Sequence, residues 1–205
     1  MARPNTQSQR RQDLMTAAAK VINEQGLRSI SLADVAEKVG LSRGAVHYYY
    51  GDLDELLVEV HRAGTERFCD ERDRAVAAVD GPREQLAVAI RAGLPEGPED
   101  ELMRLIFQFN ILAAGSSLHL TLADSMYLRQ VATYQGIIER GIATGDFHPV
   151  LPPATIGMHM AVMEDAYSLH IVNGNQNLDV DAAEAAMHAS AAALGIPPTT
   201  AGLDS

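Results

Sequence analysis

Between Ser31 and Tyr50 the chain reads SLADVAEKVGLSRGAVHYYY, and the last third of that run gathers side chains suited to touching a nucleic acid. Arg43 offers a planar fork that can pair with guanine or with phosphate, while His47, Tyr48 and Tyr49 supply donors and flat rings. Gly44 and Ala45 keep the same surface low, so that a helix backbone can come close to base edges. Val46 reads as the inward anchor. Ser31, Ser42 and a basic arm ending in Arg10 and Arg11 are placed to touch phosphates.

To be presented together, these residues need two short helices crossing at a tight turn. Ser31 followed by Asp34 is a capping-box-like start, with the hydroxyl taking an orphan N–H and the carboxylate favouring the positive helix end. Leu32, Val35, Ala36 and Val39 then recur at helical spacing. Gly40 sits where a left-handed residue ends that helix without Cβ strain, and Leu41 packs back under the turn. Ser42 caps the second helix, running to about Tyr49, and Asp52 with Glu55 starts a third. A helical hairpin that merely packs in an all-α protein is the competing reading; three caps at the right intervals and the Arg/His/Tyr face favour DNA.

This segment resembles the DNA-binding domain of the TetR family of bacterial transcriptional regulators, strongly over about residues 8 to 65 and by layout beyond. Ser42, Arg43, Gly44, Val46, Tyr49 and Leu56 fit the family's pattern; His47, Tyr50 and Leu53 stand where Tyr, Phe and a phosphate-binding Lys are usual. Loss of that Lys should flatten the salt dependence of DNA binding by roughly one unit of slope.

Charge divides the same way. Residues 1 to 50 hold seven Lys/Arg against four Asp/Glu, and residues 51 to 205 hold nine against 23. An acidic body is repelled by phosphate, so only the N-terminal end should face a duplex. No secretory signal and no apolar run of membrane length is visible, which predicts a cytoplasmic protein without a membrane partner. Cys69, the single cysteine, excludes an intramolecular disulfide and a thiolate zinc cluster and reads as a small packed or semi-exposed residue.

The remainder reads as all-α. A first helix spans about Ser8 to Gln25, a long connecting rod runs from Asp52 toward Val79, and further helices cover about Arg83–Gly93, Glu99–Ala114, Leu118–Thr144, a very apolar stretch to Val172, and an Ala-rich end from Asp179 to Leu194. Ile156 to Met163 is apolar or small all round and Ala182 to Leu194 is dominated by small residues. Two such helices from each of two chains would make a four-helix dimer bundle, the arrangement that the resemblance implies; burial inside one monomer is the alternative.

Phe107, Met126, Tyr127 and Tyr134, together with Phe68, Phe109 and Met103, lie in the helices that line the regulatory pocket of related proteins, although such residues are commonly plain core. Asn110 and His119 are polar groups beside apolar sequence that need partners if buried. Glu164 and Asp165 interrupt an apolar helix, with Tyr167 and His170 nearby. They read either as charge partners for a cationic or amine-bearing ligand, or as members of a salt bridge to Arg129 or Arg140, or as exposed at the bundle edge.

No nucleophile elbow, Walker loop or dinucleotide fingerprint is present, so an enzyme is not expected. His159 and His170 share a helix face but lie roughly 16 Å apart along it, too far for one ion, and no metal or cofactor is expected. The expectation is therefore an all-α protein with an N-terminal three-helix helix-turn-helix DNA-binding domain at 8–68 (motif 31–50), joined by a long helix to a helical ligand-binding and dimerisation domain at 69–196. It should bind a double-stranded operator as a homodimer and answer to an unidentified small-molecule effector. A ligand-independent architectural DNA binder and a helical enzyme or interaction module are the rival classes.

Overall fold

The computed structural model describes residues 4–199, and among them every regular element is helical. In order these are α1 (Pro4–Gln25), α2 (Leu32–Lys38), α3 (Arg43–Tyr49), α4 (Leu53–Ala77), α5 (Pro82–Gly93), α6 (Glu101–Ala113), α7 (Ser117–Thr144), α8 (Pro153–Val172) and α9 (Val180–Ala193). Among the described residues no helix is long and apolar enough to cross a membrane.

The chain divides into two units. The first comprises the described residues up to Glu66 together with Arg104–Ala123. Its core joins Leu14, Ala18 and Ile22 of α1, Val35 of α2, Val46 of α3, and Leu56 and Val60 of α4 with Leu105 and Phe109 of α6. Residues 104–123, placed by sequence in the C-terminal domain, fold with this unit because Leu105 and Phe109 complete its apolar core. The Gln108 side chain also accepts a hydrogen bond from the Leu27 amide at 2.9 Å.

The second unit, Arg67–Met103 with the described residues from Asp124 onward, has its own core around Leu86, Ile90, Ile137, Ile138, Phe147, Ile156 and Met187. The last turn of α9 is stitched to the loop that leads into α8. His148 N–H donates to Gly195 O at 2.9 Å and Val150 N–H to Leu194 O at 3.1 Å. Gly195 adopts φ +80, and a Cβ there would strike the carbonyl of His148; geometry and space both demand glycine.

Candidate functional site

The motif is built by its caps. Ser31 and Asp34 form a complete capping box at the start of α2. The Ser31 amide donates to Asp34 at 2.8 Å and its hydroxyl at 2.6 Å, and these bonds hold the Asp34 carboxyl below its usual range. With its one proton so engaged, the Ser31 hydroxyl offers only an acceptor. Gly40, at φ +67, closes the turn, with Leu41 N–H reaching back to Ala36 O at 2.9 Å. Ser42 Oγ accepts from the Ala45 amide at 3.2 Å, which leaves its O–H free.

On α3, Val46 is fully buried while Arg43, Gly44 and His47 are exposed, Tyr48 is 75% exposed, and Ala45 and Tyr49 are half-buried. Residues 43, 44, 47 and 48 fall on one side of a helical turn. Tyr48 and Tyr49 meet edge to face at 5.1 Å. The surface that the motif presents is thus a low strip of Gly44 and Ala45 flanked by a cation, an imidazole and a phenol.

Arg11 departs from the expected phosphate-touching arm. Its guanidinium donates to the carbonyl of Tyr49 at 2.7 Å and to Glu59 at 2.5 Å, and it lies 4.3 Å from the centroid of the Tyr50 ring. The buried Tyr50 hydroxyl donates to Glu59 at 2.8 Å. Burial pushes the Glu59 carboxyl up, but the bonds from Arg11 and Tyr50 outweigh it and hold the group below its ordinary value. Arg11 therefore clamps the end of α3 to α1 and α4. Arg10 remains exposed beside Asp13.

Within the same unit, His61 and His119 bring their Nδ1 atoms to 2.9 Å, and both rings stack near Phe109. His61 Nε2 has no partner. A bare lone pair in an apolar setting costs less than an orphaned N–H, so His61 is the Nδ1–H donor and His119 the acceptor. Burial, then the charge of its neighbour, pushes His61 down to about 4. His119 also lines a cleft of about 700 Å³ beside Asp54, Arg62, Leu112 and Leu118.

The second unit holds a buried polar network that only half matches expectation. Glu164 is 1% exposed, and its partner is Arg72 of α4, also 1% exposed, rather than Arg129 or Arg140. Arg72 places Nη1 at 3.0 Å from Oε1 and Nη2 at 3.0 Å from Oε2. Gln130 donates to Oε1 at 2.8 Å and the buried Tyr134 hydroxyl to Oε2 at 2.7 Å. The Glu164 carboxylate is thus surrounded by donors from the chain itself, and a Cβ on the neighbouring Gly93 would collide with it. Arg129 instead pairs with Asp70 and Asp73, and Arg140 with Gln85. Half-buried Asp165 accepts from Gln130 at 3.0 Å, and burial pushes its carboxyl up to about 6.

Sequence reasoning did not single out Arg72. Its signal lay in spacing: Leu57, His61, Thr65, Phe68, Arg72 and Val76 are buried at intervals of three and four along α4. Arg72 also lines a mainly apolar cavity of about 440 Å³ with Phe68, Val88, Leu94, Leu102 and Met103.

The sequence-derived ligand residues therefore scatter. Tyr134, Glu164 and Asp165 meet in the network. Met126 is buried and Tyr127 and Tyr167 half-buried in the same unit, yet none of the six lines the 440 Å³ cavity. Phe107 is half-buried, Asn110 is exposed rather than turned to a cavity, and His119 pairs with His61, all three within the first unit. Cys69 is buried, and burial raises its thiol. No group of three or more His, Cys, Asp or Glu among the described residues could hold a metal ion.

Residues 14–60, which span α1 through the first turns of α4, match the family model of bacterial regulatory proteins, tetR family. Residues 14–60 are thus similar to the DNA-binding segment of the TetR family of transcriptional regulators. The HTH-type transcriptional regulator YfiR of Bacillus subtilis is 24% identical over 162 residues, 76% of this chain and 77% of that protein. BetI of Rhizobium meliloti is 32% identical over 82 residues, and the chain spans only 40% of BetI's length. Among solved structures, a transcriptional regulator from Saccharomonospora viridis in complex with choline superposes with a TM-score of 0.83 at 18% identity, covering 90% of this chain and 96% of that one. A TetR transcription regulator from Haloarcula marismortui gives 0.83 at 20% identity, covering 91% and 98%. These likenesses establish the all-helical TetR architecture, and the relatives are regulators rather than enzymes.

Proposed function

We propose that this TetR-family regulator binds a palindromic operator as a homodimer, represses transcription there, and is released when a small molecule occupies its second unit. The observation that carries the reading is the exposed α3 strip of Arg43, Gly44, His47 and Tyr48 over the buried Val46. Arg43 contacts a base or phosphate, Ala45 and Tyr49 complete the strip, and the free Ser42 hydroxyl donates to phosphate.

A second copy is favoured by α8 and α9. Met158, Val162 and Leu169 are exposed at spacings of four and seven on α8, and Ala182, Ala185 and Ala189 are exposed on α9. Two copies would present two recognition helices to successive major grooves, about 34 Å apart. α4 runs unbroken from one unit into the other, giving ligand occupancy a covalent route to the motif. The choline in the S. viridis regulator supports a ligand-bearing role for this architecture.

The test is an operator selection followed by gel shift at several salt concentrations. Wild-type protein should retain a palindromic duplex, and Arg43→Ala should weaken binding by about 1–3 kcal/mol while relaxing preference at one position of each half-site. Unchanged affinity and preference would remove Arg43 from the interface. Retention of every duplex alike would favour the architectural reading.

A further inference from the structure

We infer that the first unit carries a ligand site of its own, the cleft of about 700 Å³ beside the start of α4, and that this cleft takes a small monocation whose apolar body also presents a hydrogen-bond acceptor to His119. Every lining residue belongs to the first unit, so the site is independent of the effector reading above, which concerns the second.

His119 supplies the polar anchor. It is 4% exposed, and it lines the cleft. In the tautomer assigned above its Nδ1 accepts from His61, so its proton sits on Nε2. That N–H bonds to nothing among the described residues. His61 Nε2 is the sealed and unpartnered nitrogen of the pair, whereas His119 Nε2 is not sealed, and the cleft is the space that its residue lines. A donor on a nearly buried ring, open on that side only, calls for an acceptor brought from outside.

Charge decides the rest of the ligand. Asp52, Asp54, Glu55 and Glu59 line the cleft together with Arg62. Arg11 answers Glu55 and Glu59, and Asp52 caps the Glu55 amide. Asp54 is exposed and makes no hydrogen bond or ion pair among the described residues. Burial lowers His119, and Asp54 is the charge that acts against it, so the free carboxylate and the free N–H serve the same space. With Arg11 and Arg62 both counted, the four carboxylates still leave the wall negative. An anionic head is repelled there and an ammonium attracted.

Val58, Leu112 and Leu118 supply the apolar surface, and Leu118 is left 59% exposed. The volume lies within the range of small-molecule sites. Acceptor, carbon body and positive charge are thus each matched by a different part of the wall.

Full-length protein is titrated calorimetrically near neutral pH with ω-aminooctanamide, which has both heads, with octylamine and octanamide, which have one each, and with octanoate. The aminoamide should bind, with octylamine and octanamide each weaker by about threefold or more and octanoate weakest. Asp54→Asn should remove the advantage of the aminoamide over octanamide, and His119→Phe its advantage over octylamine. Gly115→Trp should abolish the binding, since a Cβ there meets only the Leu112 carbonyl at 3.9 Å and the indole fills the cleft. Should that variant fail to fold, Leu118→Arg, made at an exposed side chain, places a repelling cation on the wall and should weaken both amines by about threefold or more while sparing octanamide. Failure of the aminoamide to bind, octanoate binding as tightly, or amine binding that survives either cleft variant unchanged overturns the inference.

Discussion

At the scale of single residues, the His61–His119 pair gives the first unit a pH dependence whose sign is fixed. His61 has a folded value of about 4, below its ordinary 6.5. The unfolded chain therefore takes up the proton that the folded chain refuses, so the pair's contribution is present above about pH 6.5 and lost as pH falls toward 4. The largest effect is about 3 kcal/mol. Asp54 is the facing charge that opposes it, drawing His119 upward against the burial that lowers it. Asp165 runs the other way in the second unit. Its value is raised from 3.8 to about 6, so its contribution is present below 3.8 and lost as pH rises through 6. Hydrogen exchange at about pH 7 and about pH 5 should show α1–α3 amides losing protection on acidification, with His61→Phe removing most of that change. Equal loss with and without His61 would assign the effect elsewhere.

At the scale of elements, the ends of helices were the most legible part of the sequence and the pairings between helices the least. Ser31, Ser42, Asp52 and Asp179 each cap the helix that their position predicts, since a cap reads a side chain against its own backbone three residues away. Arg72–Glu164 and Arg11–Glu59 join residues 92 and 48 positions apart, and no periodicity carries that information. The same limit hides where α6 packs. Leu105 and Phe109 are as apolar as any pocket residue, and only packing shows that they complete the first unit's core. The α3 surface was visible because it depends on a local run of residue types. The Arg11 clamp yields a discriminating measurement. Arg11→Met should destabilise the first unit by about 1–3 kcal/mol and lower DNA affinity, yet leave the salt slope of binding unchanged. A phosphate-contacting arginine would instead reduce that slope by about one.

At the scale of the whole molecule, excess positive charge and exposed apolar surface are carried by different stretches of the chain. The first 50 residues carry the excess of cations, whereas the apolar side chains left open on α8 belong to the acidic remainder. Val162 is 55% exposed between Met158 and Leu169; in the proposed dimer a carboxylate there would face its own copy across the two-fold axis. Val162→Asp should shift sedimentation from dimer to monomer and weaken operator binding by at least about tenfold, with helicity by circular dichroism retained. A dimer that survives this change would place the second copy on another face.

The bridge between Gly195 and His148 carries a consequence for how such a protein can be altered. The loop it fastens includes Val150 and Leu151, both exposed, and lies between Phe147 and the first turn of α8. Changes to the final turn of α9 are accordingly changes to the doorway of α8. A graft that exchanges either segment must keep the backbone path that brings His148 against Gly195, and must keep a glycine at that position.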